Sequence, residues 1–300
     1  MELKRKISLK KLKMKLIIAP TDFSPISDNA INYATDMAIA MGTSLMLVNV
    51  YQLPISFSEV PLVTISMDEI RKISEDKLAE LKHNIETITA NKLKIYTESR
   101  LGEVGEEITK LTDTLAPFAI IMGTRGTTGV GRFFMGSNSI SVISKVGVPV
   151  FVIPPGVRFK PIKKLGLATD LRAVVDNTPV DKIRELVHFF NAELHVLNVD
   201  YHRKHFTSST PLETLNMDSL LAGMNPLYDF IENKDIDEGL SDFAEKNNLD
   251  LLITLPKKHS MLERFFEKSI TRELIHETHI PIMCIHRKIK EPAVAKIQHS

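Results

Sequence analysis

The octapeptide VGVPVFVI at 146–153 has a counterpart 132 residues further on, THIPIMCI at 278–285, and the correspondence runs back without a gap to Tyr96 and Tyr228. Within it GRFFMGSNS (131–139) falls on ERFFEKSIT (263–271). Ahead of it KLIIAPTDF (15–23) matches KLGLATDL (164–171), setting Thr21–Asp22 against Thr169–Asp170, and VNVY (48–51) matches LNVD (197–200). A chain that repeats one plan in this way is two copies of one domain. The expected boundaries are 14–155 and 162–287. Residues 1–13 form a basic extension, part of a run with seven lysines and arginines in the first fifteen residues. It lacks the continuous apolar core of a secretory signal and reads as a solvated arm, or as sequence ahead of a natural start at Met14.

Each copy alternates short apolar runs with longer segments of helical period. KLIIAP (15–20), SLMLVNVY (44–51), LKIYTES (93–99), FAIIMG (118–123) and VPVFVIP (148–154) read as strands. Between them, residues 24–42 form a helix capped by Ser24, with Pro25 in its first turn and Gly42 ending it. Residues 69–90 place Ile70, Ile73, Leu78, Leu81, Ile85 and Ile88 on one stripe. Shorter helices follow around 103–115 and 137–146, and the second copy keeps only a reduced counterpart of the 69–90 helix, near 212–222. Fully apolar strands alternating with helices imply a mostly parallel sheet covered on both faces, five strands to a copy.

The last strand of each copy begins at a proline, Pro149 or Pro281, and is too apolar to stand at a sheet edge. Pairing the two last strands with each other about a pseudo-two-fold axis hides both. Bulk composition excludes other classes. A hydrophobic content of 43% with 25% charged residues fits a soluble globular chain, and a net charge of +1 gives no pull toward nucleic acid. No apolar stretch approaches the ~20 residues of a membrane helix. The one cysteine, Cys284, lies among apolar neighbours, which predicts a buried thiol in a reducing, cytoplasmic setting.

Five glycines crowd residues 123–136: Gly123, Gly126, Gly129, Gly131 and Gly136. The pattern GxxxxGK[ST] is not met, since no lysine follows a glycine at that spacing. GxGxxG starts at Gly129 and Gly131, but Phe134 fills its third glycine position. The SGGxDS loop is absent. What stands is Gly123-x2-Gly126-x9-Gly136-Ser137. Gly123 and Gly126 leave the carboxyl end of a strand, where open α/β sheets bind ligands, and glycines there permit close backbone approach and positive φ. Gly136-Ser137-Asn138-Ser139 opens the next helix, whose free amides and dipole favour anions, with the Ser137 and Ser139 hydroxyls as further donors.

In that array, with IIAPTDFS, LMLVNVY, RLGEVGEEI and VPVFVIP in order around it, the chain resembles the universal stress protein family, with the first half in its ATP-binding class and the family resemblance extending over both halves. The resemblance implies two tandem Rossmann-like domains of the adenine nucleotide alpha hydrolase type. It implies a site for ATP, ADP or AMP in the first half, with Mg2+ accompanying the phosphates, built from Pro20, Thr21, Asp22, Val50, Met122, Gly123, Arg125, Gly126, Gly136, Ser137, Asn138 and Ser139. In that family the acid after the first strand lies near the adenine, which points to Asp22, and the end of the second strand reads the base edge, which points to Val50. Read alone, Asp22 is equally the N-cap of the following helix, and Arg125 either faces phosphates or is solvated. Residues 52–66, apolar and broken by two prolines, are either a cover over the nucleotide or a packing or partner-binding loop.

The second copy keeps Asp170 and Ser269, but Leu255, Lys258 and Lys268 stand where Gly123, Gly126 and Gly136 do. One nucleotide site per chain is therefore expected. Lys257, Lys258, His259 and Lys268 make either a crude anion site or solvated charges. His202, His205, His259, His276, His279 and His286 lack the spacing of a zinc site. The function expected is a nucleotide-dependent stress-response regulator with an undefined protein partner, domains paired within the chain, and room for a homodimer. A slow ATPase or self-phosphorylating enzyme is the alternative, although no base can be named. A scaffold without nucleotide is the third reading.

Overall fold

A computed structural model describes residues 16–52, 66–124, 136–201, 209–256 and 279–285. The first half runs β1 (Leu16–Pro20), α1 (Pro25–Met41), β2 (Ser44–Tyr51), α2 (Met67–Ile88), β3 (Ile95–Leu101), α3 (Val104–Leu115), β4 (Ala119–Gly123), α4 (Ser137–Lys145) and β5 (Val150–Ile153). The second runs β6 (Lys164–Ala168), α5 (Val174–Asn177), α6 (Val180–Phe190), β7 (Glu193–Tyr201), α7 (Thr210–Leu220), β8 (Leu227–Asn233), α8 (Ile236–Lys246), β9 (Leu251–Thr254) and β10 (Ile282–Cys284).

The ten strands among the described residues form one sheet in the order β3-β2-β1-β4-β5-β10-β9-β6-β7-β8. Every neighbouring pair is parallel except β5 and β10, which run antiparallel with Val152 opposite Ile282, Phe151 opposite Met283 and Val150 opposite Cys284. The two terminal strands do hide each other, as their apolar sequences require. Phe151, Val152, Ile282 and Met283 are all fully buried. Pro149 and Pro281 sit one residue before their strands, and their carbonyls accept from Ile120 N at 2.9 Å and Leu252 N at 3.0 Å. A proline there contributes an acceptor to the ladder without needing a donor.

Local sequence explains most of the helices. Ser24 caps α1 with its side chain, accepting from Ser27 N, and Pro25 occupies the first turn. Gly42 ends it at φ 61°, a conformation open to glycine. Alanines at 30, 34 and 38 on the buried face let α1 lie close to the strands. α2 begins earlier than its apolar pattern suggests, because Ser66 and Glu69 form a reciprocal capping box. Its buried line is also narrower than the expected stripe: Leu78 and Ile85 are buried, but Ile73 is 51% and Ile88 84% exposed. The cause is Ser74, which bonds to Asn49 and Ser99 and so fixes position 74, not 73, against the sheet.

The second half departs from the first where α1 should repeat. The helix there is split into α5 and α6 around Thr178 and Pro179, with Ala173 at φ 47°. The stretch joining the halves is fastened on both sides. Asn29 Nδ2 donates to Pro154 O at 3.0 Å, and Tyr33 meets Phe159 edge-on at 5.4 Å between ring centroids. Asp250 accepts from Lys163 N and Lys164 N at 2.8 and 2.9 Å and pairs with Lys160.

Candidate functional site

In the order β2-β1-β4 the chain leaves β1 on one side and returns to β4 on the other, so the connections diverge at the carboxyl ends of β1 and β4. Such a reversal opens a crevice. A cleft of about 390 Å³ lies there.

The β1 side is set by a tight turn. Thr21 N donates to Val48 O at 2.8 Å, and Asn49 Nδ2 donates to Thr21 O at 2.7 Å. Thr21 Oγ1 accepts from Phe23 N at 2.9 Å and shares a hydrogen bond with Ser27 Oγ at 3.1 Å. Phe23 is held at φ 61° as a result. Asp22 Oδ1 accepts from Ser24 N at 3.0 Å. Asp22 is therefore not the cap of α1; Ser24 is, and Asp22 shapes the turn before it. Partial burial pushes the Asp22 carboxyl up, but hydrogen bonds from Ser24 and Ser27 outweigh that and hold it below the ordinary 3.8, so it is ionised near neutral pH.

The β4 side is formed by Met122, Gly123 and Thr124. A Cβ on Gly123 would stand 2.7 Å from Ile26 Cγ2 and 2.8 Å from Ile26 O. The missing side chain thus faces the first turn of α1, and it lets that turn approach β4. At the two described glycines of the array the expected backbone freedom is not drawn on: Gly123 is not among the positive-φ glycines, and Gly136 has φ −66°.

Gly136 is the N-cap of α4 and supplies no side chain to its first amides. Ser137 and Asn138 are exposed at the cleft mouth, while Ser139 is buried and its hydroxyl donates to Gly123 O at 3.2 Å. The Ser139 proton is therefore engaged in joining α4 to β4, whereas the Ser137 hydroxyl and the α4 amides are among the donors that face the cleft.

The structure brings Pro20, Thr21, Asp22, Val50, Met122, Gly123, Gly136, Ser137, Asn138 and Ser139 onto one surface. Arg125 and Gly126 lie outside the described residues, as does the segment 53–65. Sequence reasoning missed Ser24, Ile26, Ser27, Val104 and Thr124, which complete the walls. Thr124 adjoins Gly123 and was within reach of a strand-end argument. Val104 is delivered by α3 from across the sheet, which only the topology can show.

The second half repeats the turn without the cleft's glycine. Thr169 Oγ1 accepts from Leu171 N at 3.1 Å, Asp170 Oδ1 from Arg172 N at 3.2 Å, and Asn198 Nδ2 donates to Thr169 O at 2.9 Å. Leu255, in the place of Gly123, packs against the apolar core. Lys257, Lys258, His259, Lys268 and Ser269 lie outside the described residues, as do His202, His205, His276 and His286; His279 is exposed. Among the described residues no group of three or more histidine, cysteine or acidic side chains is placed to hold a metal, and no helix is long and apolar enough to cross a membrane. Cys284 is buried beside Thr254 Oγ1 at 3.4 Å, and burial pushes its thiol up to about 11.

Comparison with known proteins agrees with this architecture. The chain is 27% identical over 140 residues to one universal stress protein of Methanocaldococcus jannaschii, covering 46% of this chain and 81% of that one. It is 26% identical over 153 residues to another from the same organism, covering 46% and 94%. Its fold matches a universal stress protein from Archaeoglobus fulgidus with a TM-score of 0.69 at 18% identity, across 92% of this chain and 97% of that one. The model of the universal stress protein family matches residues 14–154 and again 161–286. With both halves matched by that model, the chain belongs to the universal stress protein family as a tandem member.

Proposed function

We propose that the first-half cleft binds an adenine nucleotide, ATP with Mg2+ or its shorter relatives ADP and AMP, and that occupancy sets a conformation sensed by a regulatory protein partner in a stress response. The observation carrying this reading is the convergence on one cleft of the β1 turn, the end of β2, the end of β4 and the uncapped start of α4. The volume suits a small organic ligand. Val50 and Val104 line the cleft with apolar surface and backbone, as a base requires. Ser137 and the α4 amides offer donors and the positive end of a helix dipole, as phosphates require. Asp22 is the one carboxylate lining the cleft among the described residues. Mg2+ would then be held chiefly by phosphate oxygens and water, its usual habit.

In this reading the second half pairs with the first and has no nucleotide of its own, since Leu255 fills the position that Gly123 leaves bare. The protein works in the cytoplasm, where ATP is abundant. Mass spectrometry of nucleotide released from freshly purified protein tests the reading, together with the melting temperature in millimolar MgATP. At ligand concentrations about 100 times Kd, binding adds roughly 2.7 kcal/mol to the folded state. Protein that carries no nucleotide and melts at an unchanged temperature overturns the proposal.

A further inference from the structure

We propose that residues 286–294, which follow β10, dock on α6 of the same chain and form a second strap, related by the pseudo-two-fold axis to the segment that joins the halves. The inference is independent of what the cleft binds. The joining segment shows the pattern. Val157 and Phe159 pack on the apolar core and Ile162 is buried, while Gly156, Arg158 and Lys160 alternate with them and are exposed. The segment lies on α1 through Asn29, which donates to Pro154 O, and through Tyr33, which meets Phe159 edge-on.

The 132-residue offset carries this pattern past β10, into residues outside the described ones. Ile289 falls on Val157 and Val294 on Ile162, while Lys288 and Lys290 fall on the outward Gly156 and Arg158. Glu291 falls on Phe159. The receiving helix has changed to match. Asn191 ends α6 at φ 48° as Gly42 ends α1 at φ 61°. Counting back from these caps sets Ile183, Leu186 and Val187 on Ala34, Met37 and Ala38, and all six are buried. The same count puts Lys182 in the place of Tyr33. An aromatic pair in the first half thus becomes a pair of opposite charges, Lys182 and Glu291, in the second. The Asn29 anchor is not repeated, since Asn177 donates to Arg172 O at 3.1 Å.

The far end of this strap has a floor supplied by the first half. Asp250, one residue before β9, holds the end of the joining segment. Phe118 stands in the same place before β4. Its N–H bonds to Leu16 O at 2.8 Å, as Asp250 N does to Lys164 O at 3.0 Å. The Phe118 ring lies 5.6 and 6.5 Å from those of Phe189 and Phe190 on α6, and Phe189 is 39% exposed. An apolar floor suits Ile289 and Val294, whereas a carboxylate suits the main chain of Lys163 and Lys164. Covering that floor is the main gain, because it removes apolar surface from water. The surface pair of Lys182 and Glu291 sets register more than stability.

The test keeps the full chain. A carbodiimide joins amines to carboxylates in direct contact, and peptide mass spectrometry should find Lys182 coupled to Glu291. Coupling of Lys182 to Glu185, 3.3 Å away on the same helix, is the internal control. Glu291→Gln should abolish the first product and keep the second. In a mixture of isotope-labelled and unlabelled protein, each Lys182–Glu291 product should be wholly light or wholly heavy. Mixed products mean that the segment docks on a second copy, and they overturn the proposal. Ile289→Asn and Val294→Asn should each lower the melting temperature by about 2–4 °C. Lys288→Asn and Lys290→Asn, at the outward positions, should leave it unchanged. Unaltered protein that yields only the Lys182–Glu185 product overturns the strap, and so do four variants that all melt alike.

Discussion

Asn49 donates to the Thr21 carbonyl oxygen over 2.7 Å, and this bond ties the end of β2 to the turn that follows β1. It extends further, since Asn49 Oδ1 accepts from Ser74 Oγ at 2.7 Å and Ser74 meets Ser99 Oγ at 2.6 Å. The second half repeats the first link through Asn198 and Thr169, at 2.9 Å, although Leu255 replaces the glycine there. A bond retained without the rest of the cleft belongs to the fold. So does the left-handed backbone it helps to hold, Phe23 at φ 61° and Leu171 at φ 49°.

Asn49→Ala is therefore expected to destabilise the protein without ligand. It leaves the Thr21 carbonyl and the Ser74 hydroxyl short of a partner in a buried setting, at a cost of roughly 1–3 kcal/mol. Asn198→Ala should cost a comparable amount. Denaturant unfolding of both variants checks this, and an Asn49→Ala protein as stable as the original would show that the link is idle.

Asp250 provides a pH test of the joining segment. Burial pushes its carboxyl up, but bonds from Lys163 N, Lys160 Nζ and Lys164 N more than compensate and hold it below the ordinary 3.8. A depressed value means that this group stabilises the fold above the unfolded carboxyl's pKa, about 3.9, and that the contribution fades as pH falls through the lower folded value. Asp250→Asn should be less stable than the original at pH 7, and the gap should narrow below about pH 4. Thermal melts across pH 3–7 read it directly. A gap that stays constant with pH would mean that charge plays no part in the clamp.

The sheet itself was legible from sequence, because strands such as Ile17–Ile18–Ala19 are apolar on both faces and the 132-residue offset declares the duplication. The pairing of β5 with β10 followed from two apolar strands that needed cover. Less was legible at the level of single side chains. Ile73 looked like core because periodicity weighs residues by hydrophobicity, whereas α2 is oriented by the polar Ser74. Asp22 looked like a possible cap since acids and serines both serve that role; the extended backbone at Ser24 decides it. Val104 was invisible because its place in the cleft depends on where α3 crosses the sheet.

Gly123 shows how a motif residue can act through packing. The Cβ of an alanine there would meet Ile26 Cγ2 and the Ile26 carbonyl closer than ordinary contact allows, and the carbonyl is main chain that cannot swing aside. Gly123→Ala should thus lower stability by about 1–3 kcal/mol before any ligand is added, as overpacking does. Ile26→Ala in the same protein should recover only part of that loss, since the carbonyl clash remains. Full recovery would place the conflict on the side chain alone, and no loss in the single variant would mean that α1 moves freely away from β4.

Cys284 offers a chemical reading of the seam between the halves. It lies on β10 opposite Val150, is 1% exposed, and its thiol is raised to about 11 by burial, against which the bond from Thr254 counts little. At pH 8 only about one thiol in a thousand is then ionised, and the thiolate is the reactive form. The native protein should resist a disulfide reagent at that pH until β10 separates from its neighbours, so the labelling rate measures opening of the seam. Phe151→Ala, which removes a fully buried ring from the facing strand, should accelerate labelling well beyond the tenfold that about 1.4 kcal/mol brings, because truncating a buried phenylalanine costs roughly 3–5 kcal/mol. Ser144→Ala, on α4, is the control and should leave the rate nearly unchanged. Rapid labelling of the unaltered protein at pH 8 would mean that the antiparallel pairing opens freely, and the two halves would then be joined mainly by the segment between Pro154 and Lys163.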